Sequence, residues 1–401
     1  MKELVVLAHV PTDAVNDGFL PAARRLGLRV TLVTDCAEAH RAHFAKPGHA
    51  AYPDEILSCD VFNPIAVLDL LSHRGDRPAA VFSNSDHLQT STAAVADYFG
   101  LPRKDWHTTY RAKNKAEMRR RLAALGIDAL WHATVCDAAM LDTLAPPPFP
   151  VVVKPREGVA SLQVSLARDA AELREQCRGV WAEHPGRPML IEEFIEGPLH
   201  TLETLGDGRD LAVLGGFRVE LSPPPHFIER EAVWQPGAPQ GPAARVLEII
   251  RAFGVGFGAC HTEYVMTERG PRLIEINYRN IGDYREFLLQ DTLGIPLFET
   301  VLRLYLGEPL PPLQLADHAA RIRYFVAGQA GTVASAPAAF SEANAQARLS
   351  FQCLRAAGDS MTLTHSNKDY LGVLRGCGPD AAQLVAAMEA VSQRLNWEIR
   401  A

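Results

Sequence analysis

The chain has 401 residues, room for two or three domains that each bury a core. Its 47% apolar and 22% charged residues are those of an ordinary globular protein, and 40 Lys+Arg against 47 Asp+Glu leave a net charge of −7, which excludes a broad non-specific nucleic-acid binder. No apolar run reaches 18 residues, so no membrane-spanning helix is expected, and seven scattered cysteines without a Cys-x-x-Cys fit a reduced, cytoplasmic chain.

Leu4–Val10 and Arg29–Thr34 are short runs rich in Val and Leu. The first has no small-residue cleavage site after it and reads as a strand, not a signal peptide. Between the two runs, Phe19, Leu20, Ala23 and Leu26 recur at helical spacing and end at Gly27. That β–α–β rhythm, with a further strand at Pro78–Ser83 and a helix over Ser85–Phe99, predicts an open parallel α/β domain over residues 1–105. Its first β–α turn, His9-Val10-Pro11-Thr12-Asp13, lacks the Gly-x-Gly-x-x-Gly of dinucleotide folds. His40, His43 and His49 read as solvated.

A helix is expected over Asn114–Leu125, then a stiff proline-rich lead-in, then strands at Val151–Lys154, Met189–Phe194, His200–Leu205 and Leu211–Glu220. Ser222–Gly241 reads as a long functional loop carrying His226, Phe227, Arg230 and Trp234. Helices follow at Pro242–Phe253 and Tyr284–Leu293. The last helix, from Pro379, places Ala381, Leu384, Val385, Met388, Val391 and Leu395 on one face. Residues 106–308 and 309–401 are the second domain and a small third one.

The chemistry concentrates in two period-2 runs, His261–Thr267 and Pro271–Asn277, around Glu268-Arg269-Gly270. A three-residue hairpin loop with Gly in the left-handed position pairs Thr267 with Pro271 and sets Glu263 opposite Glu275, with Asn277 on the same face. A two-residue loop would shift the register by one and separate the acids. Two facing carboxylates repel unless a cation lies between them, and an all-oxygen Glu, Glu, Asn set suits Mg²⁺ or Mn²⁺. The other reading is a solvent-facing acidic edge. Lys154 ends a very apolar strand and needs an anion, either a phosphate at the Arg156–Ser161 turn or Glu157 as an ion pair.

In this order, the strand Val-Val-Val-Lys-Pro, the segment Ile-Glu-Glu-Phe-Ile-Glu-Gly-Pro, and His-Thr-Glu-Tyr…Gly-Pro-Arg-Leu-Ile-Glu-Ile-Asn-Tyr-Arg resemble the ATP-grasp superfamily of carboxylate–amine ligases, over Lys115 to Leu306. The resemblance implies an α/β and α+β multidomain chain: an open parallel α/β domain, the ATP-grasp fold and a small C-terminal domain. It implies ATP as cofactor with two Mg²⁺ (or Mn²⁺) ions held by Glu263, Glu275 and Asn277. Lys115 and Lys154 would contact the phosphates, the latter also the adenine, with Ser161 in the phosphate turn. Glu192, Glu193, Phe194 and Ile195 would form the adenine-reading hinge, and Arg279 would neutralise an acyl-phosphate.

The sequence departs from the family pattern at several points. Ala160 and Gln163 replace common glycines of the phosphate loop, which implies a stiffer lid. Leu199 replaces the ribose-binding glutamate, so the ribose is assigned to His200. Arg218, Arg230 and Arg285, with Asp283, are candidates to hold the substrates.

The expected activity is ADP-forming amide ligation of a small-molecule carboxylate and an amine, closest to natural-product and siderophore ligases. Such enzymes use no nucleic acid or membrane and are commonly homodimers. The alternatives are a biotin- or purine-type carboxylase, suggested by His200, and a nucleotide-binding module without ligase activity. Gly254-Val255-Gly256-Phe257-Gly258 lies between a helix and a strand and reads as a turn, and His261 as a packed residue.

Overall fold

A computed structural model describes residues 1–46, 52–75, 77–237 and 241–400. Near the N-terminus, the strands Glu55–Ser58, Arg29–Thr34, Glu3–Leu7 and Ala80–Phe82 lie side by side in that order, all parallel. Their continuous apolar character suits a sheet covered on both faces. On one side pack Phe19, Leu20 and Ala23, and on the other Val67, Leu71 and Val95. The expected helix after the first strand starts as the π-helix Ala14–Phe19 and continues as the α-helix Leu20–Arg25.

A second, antiparallel sheet orders His132–Val135, Met189–Glu193, Val151–Pro155 and Ser165–Ala167. The helix Ala170–Glu183 buries Leu173 and Cys177 against it. The largest sheet runs Gly270–Asn277, Phe257–Thr267, Leu199–Asp207, Leu211–Leu221, Glu229–Pro236, Ala319–Val326, Tyr370–Gly378, Arg348–Cys353 and Phe340–Ala343. Strands from residues 309–401 thus continue the sheet begun before residue 308, through pairs such as Ala232↔Ile322.

Three expectations are corrected here. The segment Ser222–Gly241 is not one long loop, because Glu229–Pro236 is a strand between two others. Its Ala232 and Trp234 face the core, Trp234 edge-on to Phe217 at 5.1 Å, while Arg230 points outward. The proline- and glycine-rich flanks hid that alternation. On the last helix, Ala381–Ser392, residues Leu384, Met388 and Val391 are buried but Ala381 and Val385 are exposed, so the buried stripe is narrower than expected. His40 is also buried rather than solvated, its Nε2 3.0 Å from the His9 carbonyl, and His49 lies outside the described residues. Gly254 closes the preceding helix at φ 121°, as a turn.

Candidate active site

A cavity of about 750 Å³ opens where the three sheets approach one another. The hairpin forms its floor. Its loop is tighter than expected: Thr267 pairs with Gly270, leaving two residues in the turn. That shifts the register by one, and a β-bulge at Ile274 shifts it back, so Glu263 still lies opposite Glu275. Two departures cancel, and the acids face one another as the three-residue loop predicts.

Strand parity extends this polar face sideways. Thr201 pairs with Glu263 and Glu203 with His261, while His261 pairs with Asn277. Thr201 Oγ1 donates to Glu203 Oε1 at 2.8 Å, and His261 Nδ1 lies 2.8 Å from the same oxygen. His261 Nε2 lies 3.3 Å from Glu263 Oε1, and Asn277 Nδ2 donates to that oxygen at 3.4 Å. Burial pulls the imidazole pKa down, but the two carboxylates outweigh it and hold His261 at about 9. The ring is therefore charged at neutral pH and donates from both nitrogens. Burial pushes Glu263 up, yet His261, Arg285 and Arg279 bring it to about 2.

The helix Lys115–Ala124 supplies the cations. Asn114 caps it, its side chain accepting from Glu117 N at 3.2 Å. Lys115 and Arg119 stand one turn apart on the face that meets the cavity. Lys115 Nζ lies 2.7 Å from Glu275 Oε1 and donates to the Gly158 carbonyl at 2.9 Å, tying the hairpin to the turn after Lys154. Arg119 Nε donates to Glu192 Oε2 at 2.8 Å, and its other nitrogens bond the carbonyls of Leu273 and Ile274 at the bulge.

Lys154 binds the other oxygen of Glu192, while Glu157 pairs with Arg156 instead. Burial alone would raise the Glu192 carboxyl, but Arg119 and Lys154 hold it at about 2. All three side chains are buried, an ion triad that costs much desolvation and is held by geometry. Around it Phe194, Ile195, Leu199, Phe227 and Val265 give the cavity an apolar end suited to a planar base.

The turn after Lys154 takes, at non-glycine positions, a shape that glycine favours. Ala160, Ser161 and Gln163 all hold left-handed backbone, at φ 55°, 55° and 58°. Each such residue costs roughly 1 kcal/mol or more. The C-terminal segment pins the loop, Asn367 N donating to the Ala160 carbonyl at 3.1 Å.

The cavity wall includes Lys115, Lys154, Ser161, Glu192, Glu193, Phe194, Ile195, Glu263, Glu275, Asn277, Arg279, Asp283 and Arg285. Three expected residues stand elsewhere. His200 and Arg218 pair with one another across neighbouring strands, on the face opposite Thr201, where His200 stacks on Tyr264 and bonds Gln235. Arg230 alternates outward from Glu229. The assignment of ribose to His200, and of substrate to Arg218 and Arg230, is therefore corrected.

Arg119, Glu203 and Glu229 join the site unforeseen. Arg119 was visible as the i+4 neighbour of Lys115. Glu203 and Glu229 depend on strand pairing that no local pattern reveals. Glu229 Oε2 lies 2.8 Å from Arg285 NH1, which the carboxylate holds well above the ordinary guanidinium range against its burial.

The residues present fit a hard divalent cation: facing carboxylates and a neighbouring amide oxygen. Among the described residues, one further group of potential metal ligands is His9, Asp35 and Cys36, with Asp35 exposed.

The fold is that of the ATP-grasp ligases. An L-amino acid ligase from Bacillus licheniformis superposes with a TM-score of 0.82 at 20% identity, covering 100% of this chain and 99% of that one. An uncharacterized protein of Sinorhizobium fredii is 28% identical over 346 residues, 83% of this chain and 69% of its own length. Carnosine synthase 1 of Gallus gallus is 29% identical over 322 residues, 73% of this chain. The chain spans about a third of that synthase's length, 34%. No family model matches the chain.

Proposed function

We propose that this protein is an ATP-dependent carboxylate–amine ligase, releasing ADP and phosphate, with an amino acid among its substrates. The observation that carries the reading is one cavity uniting Lys115, Lys154 and Arg279 with the Glu263, Glu275 and Asn277 face. The amino-acid class follows the L-amino acid ligase of like fold. The carboxylase alternative loses the His200 clue, since that side chain lies on the far sheet face.

In this reading Lys115 and Lys154 bind the ATP phosphates, and the left-handed turn at Ala160 and Ser161 lies over them. Glu263, Glu275 and Asn277 would hold two Mg²⁺ (or Mn²⁺) ions, which when bound neutralise charge on the triphosphate. The substrate carboxylate attacks the γ-phosphorus, giving an acyl-phosphate and ADP. Arg279 and Arg285 orient the carboxylate and its phosphorylated form, since phosphoryl transfer is mainly a matter of positioning and charge. The amine then attacks the acyl carbon and phosphate leaves. Asp283 stands at the substrate end of the cavity. We further propose a cytoplasmic homodimer with a role in peptide-like natural-product or siderophore assembly, organised as the 1–105, 106–308 and 309–401 units.

The test is ADP release across the proteinogenic amino acids, succinate and citrate paired with amines, with bicarbonate alone as a separate arm. Pair-dependent release supports the ligase, and Glu275→Gln should abolish it while the protein still unfolds in one cooperative transition. Near-normal turnover in that variant, or stimulation by bicarbonate alone, overturns the reading.

A further inference from the structure

The ligase reading leaves two buried side chains of one cavity wall without a task. Beyond Arg279 the chain turns into the helix Arg285–Leu293. At the turn, Asp283 and Tyr284 both hold left-handed backbone, at φ 56° and 66°, a strained arrangement for side-chain-bearing residues. Tyr324 holds it in place by donating to the Asp283 carbonyl at 2.8 Å, and the Tyr284 hydroxyl meets Asp13 of the N-terminal domain.

Two side chains of this wall, Asn280 and Glu286, are 5% and 3% exposed and face the same cavity. Asn280 Nδ2 and Glu286 Oε2 have no hydrogen-bond partner. Buried polar atoms in a folded protein are nearly always paired, so two orphans on one cavity wall point to a polar ligand group between them.

We propose that Glu286 accepts the proton of the incoming amine. This rests on the ligase reading. An amine reaches the enzyme at neutral pH as an ammonium, which has no lone pair to attack with. Transfer of one N–H proton to the Glu286 carboxylate frees the lone pair. The nitrogen then bonds the acyl carbon, the acyl C–O bond to phosphate breaks with its electrons going to phosphate, and the second N–H proton leaves with that phosphate. Glu286 returns its own proton to water.

The surroundings match the task. Burial pushes the Glu286 carboxyl up to about 8, against its own helix N–H and with Asp283 adding to the rise. Arg279 and Arg375 work against it, and the Tyr324 phenol also faces it. A base near the working pH is the most effective proton acceptor.

Hydroxylamine separates the steps, because it is uncharged at neutral pH and traps an acyl-phosphate as a hydroxamate without needing deprotonation first. With ATP, Mg²⁺ and each proteinogenic amino acid, Glu286→Gln should keep hydroxamate formation within about threefold of wild type. Amide formation with an amino-acid amine should fall by about 10²–10⁴-fold and lose its rise with pH through about 8. Glu286→Asp should show the same split at smaller size, and serves if the Gln variant does not fold. Equal loss of both products, or loss of neither, overturns the proposal. Absence of hydroxamate from the wild-type enzyme with every amino acid overturns the ligase reading itself, and the proton acceptor with it.

Discussion

Glu192 shows how much a single side chain is asked to do. Its two oxygens hold Arg119 and Lys154, and its carboxyl stays ionised down to a pH of about 2 instead of the usual 4.5. A group with a depressed native pKa contributes stability above its unfolded value and loses it as the pH falls through the folded one. The wild-type protein should therefore lose stability between about pH 4.5 and pH 2, partly through this group. Glu192→Gln leaves two buried cations without their shared anion, at a cost of roughly 3–5 kcal/mol at neutral pH. Urea unfolding at neutral and acid pH measures both effects: the variant should be destabilised at pH 7 and show a flatter acid limb. Equal stability of the two proteins at pH 7 would place the binding energy elsewhere.

Elements decide which residues reach the cavity, and here the sequence was only partly legible. Lys115, Lys154, Glu263, Glu275, Asn277 and Arg279 could be picked out because each belongs to a short local motif. His200 failed for a reason of parity: the residue beside Leu199 and Thr201 on a strand must point to the opposite face from Thr201. The acids face one another although the loop is the two-residue alternative, since its one-residue shift and a one-residue bulge that no local pattern reveals sum to zero. The strand Glu229–Pro236 stayed hidden because proline- and glycine-rich flanks mask its alternation and one of its two partners, 319–326, lies far away in the chain.

Close strand packing also makes a test. A Cβ on Gly216 would fall 1.9 Å from the Thr201 carbonyl oxygen, so backbone must move. Thr201 accepts from Phe217 N at 3.0 Å and donates its hydroxyl hydrogen bond to Glu203, which holds His261 beside Glu263. Gly216→Ala should lower stability by about 1–3 kcal/mol and weaken ATP binding together. Thermal melting with and without MgATP measures both, and an unchanged melting temperature would mean that the sheet absorbs the methyl group elsewhere.

At the scale of the molecule, the N-terminal α/β unit is fastened to the rest rather than loosely tethered. Lys104, buried, donates to Gln89 Oε1 at 2.8 Å and to the Tyr278 carbonyl at 2.5 Å, just past the hairpin. Gly18 lies so close to Phe298 that a Cβ there would meet the ring at 2.4 Å. The cavity thus draws its walls from segments spread between Leu7 and Lys368. Among the described residues no helix is long and apolar enough to cross a membrane.

The continuity of the large sheet across residue 308 has a consequence for association. Glu229–Pro236 is an interior strand only because Ala319–Val326 lies against it. A chain stopped at residue 308 would present that strand's unpaired N–H and C=O groups to other molecules, with Ala232 and Trp234 alongside. Such an edge is a template for strand addition. Light scattering of a 1–308 fragment should show concentration-dependent aggregation, and a stable monodisperse fragment would contradict it. The C-terminal stretch, besides bonding the Ala160 carbonyl through Asn367, covers the edge that Glu229–Pro236 would otherwise present.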